Sequence, residues 1–105
     1  MAFPERYRSH SSWEQQRIPR EDLPETLRCL KDWVLTPEGL VKKFSFTQFM
    51  EAVAFANQVA QIADLLDHHP YIQIFTCEVR VTIPQRPKQG LTFADLELAQ
   101  KIDQL

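Results

Sequence analysis

The stretch that decides the fold is a long amphipathic segment that ends in a pair of histidines. Residues 48–70 read QFMEAVAFANQVAQIADLLDHHP. Apolar residues recur in it at steps of three and four, which is the period of one helix face. They are Phe49, Ala52, Val53, Ala56, Val59, Ala60, Ala63 and Leu66. The spacing predicts a helix over 48–66 capped by Thr47, and the helix should stop before Pro70 because residues preceding proline disfavour helical angles.

Short apolar runs with strand character lie on both sides of this helix. Before it, residues 33–35 and 40–46 flank the sequence Thr36-Pro37-Glu38-Gly39, in which Pro and Gly suit a tight turn. After it, residues 73–76 and 78–83 form two further runs. The pattern predicts a hairpin before the helix and two more strands after it.

Shorter helical patterns lie at the two ends of this arrangement. Leu23, Leu27 and Leu30 have helical spacing, and near the carboxyl end Thr92 precedes Asp95 by three residues, as in a capping box. The predicted order is helix, two strands, long helix, two strands, helix. It indicates an α+β fold in which helices pack on one face of a four-stranded antiparallel sheet.

Two features indicate surfaces outside the main core. Val79, Val81 and Ile83 alternate with polar residues, so one face of the sheet is expected to be wet or paired with something outside the core. Phe55 and Ile62 lie off the main stripe of the long helix. We therefore expect a second side of that helix to be partly covered, as it would be in a subunit interface.

Composition limits the classes of function. The chain has 105 residues, a formal charge of −2 and two glycines. This length indicates one domain and excludes a multidomain enzyme, and the scarcity of glycine excludes a Gly-rich phosphate loop. Near-balanced charge argues against nucleic-acid binding. Cys29 and Cys77 lack the spacing of a metal site, so we expect reduced, packed thiols in a soluble, cytoplasmic protein with no membrane span.

The amino-terminal residues differ in character from the rest. Residues 1–22 are predicted to form an arm, and residues 23–105 the domain. Residues 1–20 carry a charge of +2, four arginines less two glutamates, so the remaining residues carry −4. Arginines and aromatic side chains are common interface anchors. The arm therefore either packs on its own domain or binds a partner.

The densest group of titratable side chains follows the long helix. Asp64, Asp67, His68 and His69 lie within six residues. Imidazoles exchange protons near neutral pH, as general acid–base catalysis requires. The structural alternative is that His68 caps helix carbonyls and His69 is a solvated turn residue. A metal site is disfavoured because the third histidine, His10, lies in the arm.

Asp95 has two possible roles as well. It can be a catalytic carboxylate, or it can be explained by its place in the first turn of the last helix, where acidic side chains stabilise the helix end. The sequence alone leaves both roles open.

Several of these elements together resemble the pterin-4a-carbinolamine dehydratases. They are Phe44-Ser45-Phe46, His68-His69-Pro70, Val79-Arg80-Val81-Thr82-Ile83 and Gly90-Leu91-Thr92 followed by Asp95. The resemblance spans about residues 23–105 and implies the α+β layer described above. It also implies homodimers whose sheets join edge to edge, often paired into tetramers. Finally, it places His68, His69 and Asp95 in the site that dehydrates a 4a-hydroxytetrahydropterin, without a cofactor or a metal.

The sequence departs from the family pattern at two positions. Thr76 stands where the family usually has an aromatic residue, and Arg86 stands where it has a third histidine. A guanidinium stays protonated at neutral pH, so Arg86 cannot replace a general acid or base. These departures favour a non-catalytic offshoot, similar to the dehydratase-like Rubisco assembly factors associated with the α-carboxysome, whose partners are Rubisco subunits. The alternative is a dehydratase that uses His68, His69 and Asp95.

Overall fold

A computed structural model describes residues 16–85 and 90–105 of the chain. A 3-10 helix, Arg20–Asp22, leads into the first α-helix. The elements that follow are α1 (Leu23–Arg28), β1 (Val34–Thr36), β2 (Gly39–Ser45), α2 (Phe49–Leu66), β3 (Tyr71–Ile74), β4 (Glu78–Pro84) and α3 (Phe93–Asp103). This order confirms the predicted α+β fold.

The sheet has four strands in the order β1-β2-β4-β3, and all neighbours are antiparallel. The predicted hairpin is the β1–β2 pair, in which Thr36 lies opposite Gly39. Gly39 has a φ of +143°, and a Cβ added there would lie 2.0 Å from the carbonyl oxygen of Ile83. The turn therefore requires glycine both for its backbone angle and for the close approach of β4.

One face of the sheet carries the core. Side chains alternate across a strand, and the apolar residues at alternating positions of β2 and β4 pack against α2 and α3. They include Leu40, Phe44, Val79, Val81 and Ile83. Leu96, Ala99 and Ile102 of α3 and Ala52, Phe55 and Val59 of α2 complete the cluster. The helices thus cover a single face, as predicted.

The long helix begins one residue later than predicted, and its cap differs. Gln48 is the N-cap residue, and its backbone N–H donates to the carboxylate of Glu51 at 2.9 Å. The hydroxyl of Thr47 donates to the same carboxylate at 2.6 Å. Thr47 was therefore the wrong residue for the cap: Gln48 and Glu51 form a reciprocal capping box, and the Thr47 hydroxyl donates to Glu51 instead of accepting a backbone N–H.

The buried face of α2 is rotated relative to the predicted stripe. Phe55 is buried in its own domain, with ring centroids 4.6 Å from Phe44 and 5.2 Å from Phe46, whereas Phe49 and Ala60 are exposed. Aromatic side chains of β2 and of the segment after it cover Phe55. Its burial therefore needs no subunit interface.

The described part of the predicted arm joins the domain. Ile18 donates its backbone N–H to Leu91 at 2.9 Å, and Phe93 donates its N–H to Gln16 at 3.2 Å. Ile18 is also part of the core cluster. Residues 1–15 of the arm lie outside the described residues, and its boundary after residue 22 stays a prediction.

Cys29 and Cys77 carry free thiols but are exposed, so their prediction as packed residues was wrong. Among the helices of the described chain, none is long and apolar enough to cross a membrane.

Candidate active site

The end of α2 places His68 against the start of α3. Asp67 adopts a left-handed backbone with φ of 50°, and the N–H of His68 donates to the carbonyl of Ala63 at 2.9 Å. The chain thereby leaves the helix axis, and the Nε2 atom of His68 lies 2.9 Å from the Oδ1 atom of Asp95. The backbone of His68 caps the helix, while its imidazole is available for a different role.

Asp95 uses its two carboxylate oxygens for two different partners. Its Oδ2 atom accepts the backbone N–H of Thr92 at 2.8 Å, and its own N–H donates to the Thr92 hydroxyl at 3.4 Å. Its Oδ1 atom faces His68. The capping role and the site role that the sequence left open for Asp95 are therefore compatible, because each uses a separate oxygen atom.

The environment of this pair favours a charged imidazole. The side chains of His68 and Asp95 are 23% and 7% exposed, so solvent screens their interaction only in part. The hydrogen bond to Asp95 raises the pKa of His68. The negative charges of Asp95 and Glu97 and a backbone hydrogen bond at Ala94 act in the same direction, whereas burial opposes them. The result is a proton donor that stays protonated to a higher pH than an ordinary histidine.

His69 belongs to a second, more exposed pair. Its Nε2 atom lies 2.8 Å from the Oδ1 atom of Asp64, which is on the last turn of α2, and both side chains are exposed. The two adjacent histidines thus have different carboxylate partners. The sequence showed Asp64 in the same cluster as His69. It contains no clear signal for the left-handed turn at Asp67, which brings residues 64 and 69 together.

Of the two positions that depart from the family pattern, Thr76 lies within the described residues and Arg86 does not. Thr76 is exposed in the turn between β3 and β4, where Phe75 donates its N–H to Glu78 at 2.7 Å. Phe75 places an exposed aromatic ring one residue before the position where the resemblance expects one. Arg86 lies outside the described residues.

The site is built from pairs of side chains. Across residues 16–85 and 90–105, no three His, Cys, Asp or Glu side chains are arranged to hold a metal ion. A half-buried imidazole with a raised pKa can instead deliver a proton to a molecule that binds beside it. This arrangement suits elimination or addition of water.

Comparisons with known proteins agree with this fold. The family model for pterin 4 alpha carbinolamine dehydratase matches residues 16–105. The match therefore begins at Gln16, the residue whose carbonyl accepts the N–H of Phe93. A relative from Metallosphaera sedula is 36% identical over 89 residues, which cover 85% of this chain and 93% of that protein. A relative from Sulfurisphaera tokodaii is 38% identical over 90 residues, which cover 86% of this chain and 97% of that protein. The names of both provisionally assign them as pterin-4-alpha-carbinolamine dehydratases.

A solved structure gives the same result in three dimensions. The crystal structure of a transcriptional coactivator/pterin dehydratase from Brucella melitensis has a TM-score of 0.75 to this chain at 31% identity. The match covers 85% of this chain and 97% of that one. The chain belongs to the pterin-4a-carbinolamine dehydratase family.

Proposed function

We propose that this protein dehydrates a 4a-hydroxytetrahydropterin and that His68 is its proton donor. The observation that carries the proposal is the pair formed by His68 and Asp95, at 2.9 Å between a half-buried imidazole and a buried carboxylate. A carboxylate in this position orients the imidazole and stabilises its protonated form. The names of the relatives and the family model support a pterin as the substrate.

The reaction needs two proton transfers. In the proposed mechanism, the His68 imidazolium gives its proton to the 4a-hydroxyl as the C4a–O bond breaks, so that water leaves. A proton leaves a ring nitrogen of the pterin, and the electron pair of that N–H bond forms a carbon–nitrogen double bond to C4a. His69 is the proposed acceptor of this proton. The products are water and a quinonoid dihydropterin, and the site returns to its starting protonation once a proton passes back to His68.

The departures from the family pattern affect the expected rate. A positioned acid or base typically contributes about 100- to 10,000-fold to a rate. With Arg86 at the position of the third histidine, that contribution is absent from the proposed site. We therefore expect a slower dehydratase than one with three histidines, in which His68 provides most of the acceleration.

The test is a direct assay on the purified full chain. Appearance of the quinonoid dihydropterin from 4a-hydroxytetrahydropterin is followed by absorbance, with and without protein. We expect acceleration over the uncatalysed reaction and a loss of about 100-fold or more in His68→Ala. Gln61→Ala, on the exposed face of α2, is the matched control and should keep the rate of the unmodified chain. No acceleration, or equal rates for His68→Ala and the unmodified chain, would refute the proposal.

A second candidate function is non-catalytic assembly of Rubisco in association with the α-carboxysome. The observation that favours it is the pair of substitutions Thr76 and Arg86, which remove an aromatic residue and a histidine from the family pattern. Co-expression with the subunits of an α-carboxysome Rubisco would then raise the yield of soluble, assembled enzyme. In that case His68→Ala should assemble as much Rubisco as the unmodified chain. An unchanged yield on co-expression counts against this role.

A further inference from the structure

The sheet has a second face that no described helix covers, which we call the outer face. It carries the residues that alternate with the core positions on β2, β3 and β4. On it, Lys43 lies directly opposite Arg80, and Gln73 lies on the other side of Arg80. We call Lys43 and Arg80 the basic pair.

The two positive charges of the basic pair repel each other, and no carboxylate among the described residues neutralises them. Like charges directly opposite each other on neighbouring strands are destabilising. The Nε atom of Arg80 is buried and has no hydrogen-bond partner, which is unusual for a buried donor. Within the described parts of the chain, no carboxylate lies within 4.0 Å of either cation. Two like charges without a described carboxylate beside them are expected to attract an anion.

The charges around the pair are not those of a generally basic protein. Residues 21–105 carry a net charge of −4, so the basic pair is a local exception on an acidic domain. Among the paired residues of the four described strands, one carboxylate shares the outer face: Glu78, which lies opposite Ser45 in the next row of the register and forms no ion pair with Arg80 or Lys43. The row that contains Lys43 and Arg80 is therefore positively charged, and Glu78 lies in the neighbouring row at the end of β4.

An apolar row lies on the other side of the basic pair. Val34 lies opposite Val41, and Val41 and Tyr71 flank Thr82, which is polar and buried, so the apolar members of the row are on β1, β2 and β3. Val34 and Tyr71 are 60% and 64% exposed, and neither belongs to the core cluster. Because the two rows are two residues apart along each strand, they are separated by about 7 Å.

We propose that the outer face docks an extended acidic segment of another protein. In that segment a glutamate or aspartate binds the basic pair, and an apolar side chain two residues away lies on the apolar row. An arginine fork matches a carboxylate in a bidentate geometry, and the neighbouring lysine adds a second positive charge. This interaction uses neither His68 nor Asp95, so it is independent of the proposed dehydratase activity.

The test is a binding titration of the full chain with a labelled peptide, Leu-Ser-Glu-Ser-Leu-Ser-Glu, followed by fluorescence anisotropy at low salt. We expect saturable binding that a peptide with Gln in place of Glu reduces by about tenfold or more, which corresponds to about 1.4 kcal/mol. Arg80→Gln and Lys43→Gln should each weaken binding of the Glu peptide by a similar factor. Lys101→Gln, on the exposed part of α3, is the matched control and should leave the affinity unchanged.

A charge reversal separates docking from a merely structural role. Lys43→Glu places a carboxylate opposite Arg80, so it should raise the melting temperature while abolishing binding of the Glu peptide. Equal affinity for the Glu and Gln peptides, or no saturable binding at all, would overturn the proposal. It would also be overturned if sedimentation showed that Arg80→Gln dissociates an oligomer, because a second copy of this chain would then be the occupant.

Discussion

The Nε2 atom of His68 lies 2.9 Å from the Oδ1 atom of Asp95, and this contact joins the end of α2 to the start of α3. The other oxygen of Asp95 is held by the backbone N–H of Thr92 at 2.8 Å. The helix cap therefore holds the carboxylate in place independently of its contact with the imidazole. A residue that the sequence explains as a cap is, in the folded chain, also the group that sets the charge of His68.

Two substitutions separate the capping role of Asp95 from its effect on the pKa of His68. Asp95→Asn removes the negative charge, so the pKa of His68 should fall towards its ordinary value and the dehydration rate should fall with it. Thr92→Ala removes the hydroxyl that accepts the N–H of Asp95, which typically costs about 1 kcal/mol of stability. It leaves the carboxylate beside His68, so the pKa of His68 should not change.

NMR titration of the His68 ring protons measures the first effect, and urea unfolding measures the second. If Thr92→Ala lowered the pKa of His68 as much as Asp95→Asn does, the cap rather than the charge would control the imidazole.

The raised pKa of His68 also predicts how stability depends on pH. A histidine whose pKa is higher in the folded state binds its proton more tightly there. The contribution of the pair should be fully present below the unfolded value of about 6.5, and it should be lost as pH rises through the raised folded pKa. The unmodified chain should therefore exceed His68→Gln in free energy of unfolding by more at pH 6 than at pH 9.

Urea unfolding of both proteins at the two pH values tests this difference. His69→Gln is the natural control, because its pair with Asp64 is exposed and exposed ion pairs contribute little. An advantage over His68→Gln that grew with pH would contradict the sign of the predicted linkage.

Much of the fold could be predicted because it depends on local patterns. The three-and-four spacing of the long helix, the Pro-Glu-Gly turn at 37–39 and the Thr92–Asp95 cap each depend on residues close in sequence. Phe55 was misplaced because its neighbours, Phe44 and Phe46, come from a different element. The family resemblance placed His68, His69 and Asp95 in one site, but neither it nor the spacing showed that the side chains of residues 68 and 95 are in contact.

A second tertiary contact that local patterns do not show is formed by Asp103 near the end of α3. Its carboxylate accepts a hydrogen bond from the indole N–H of Trp33, at 3.0 and 3.1 Å to its two oxygens, and pairs with the ammonium of Lys42 at 2.9 Å. Asp103→Ala should cost about 1–3 kcal/mol, because it leaves the buried indole N–H without an acceptor. Asp103→Asn keeps one acceptor oxygen and should cost less.

Urea unfolding of both variants tests the contact, with Gln104→Ala as a control on the exposed residue that follows. Equal stabilities for Asp103→Ala and the unmodified chain would show that the indole N–H needs no acceptor.

The two glycines provide a final test of how closely the sheet is packed. A Cβ at Gly39 would lie 2.0 Å from the carbonyl oxygen of Ile83, which is backbone of a central strand and cannot move aside. A Cβ at Gly90 would lie 3.3 Å from the guanidinium of Arg17, which is a flexible and exposed side chain. Gly90 has a φ of +66°, where alanine carries a backbone cost of about 1–2 kcal/mol. Gly39 has a φ of +143°, outside the left-handed region that other residues can adopt, so alanine costs more there. Only Gly39→Ala must also displace a neighbouring strand.

We therefore expect Gly90→Ala to fold with a modestly lower melting temperature, whereas Gly39→Ala should lose the cooperative unfolding transition altogether. Similar melting curves for the two variants would show that the turn and β4 can both relax to accommodate the Cβ.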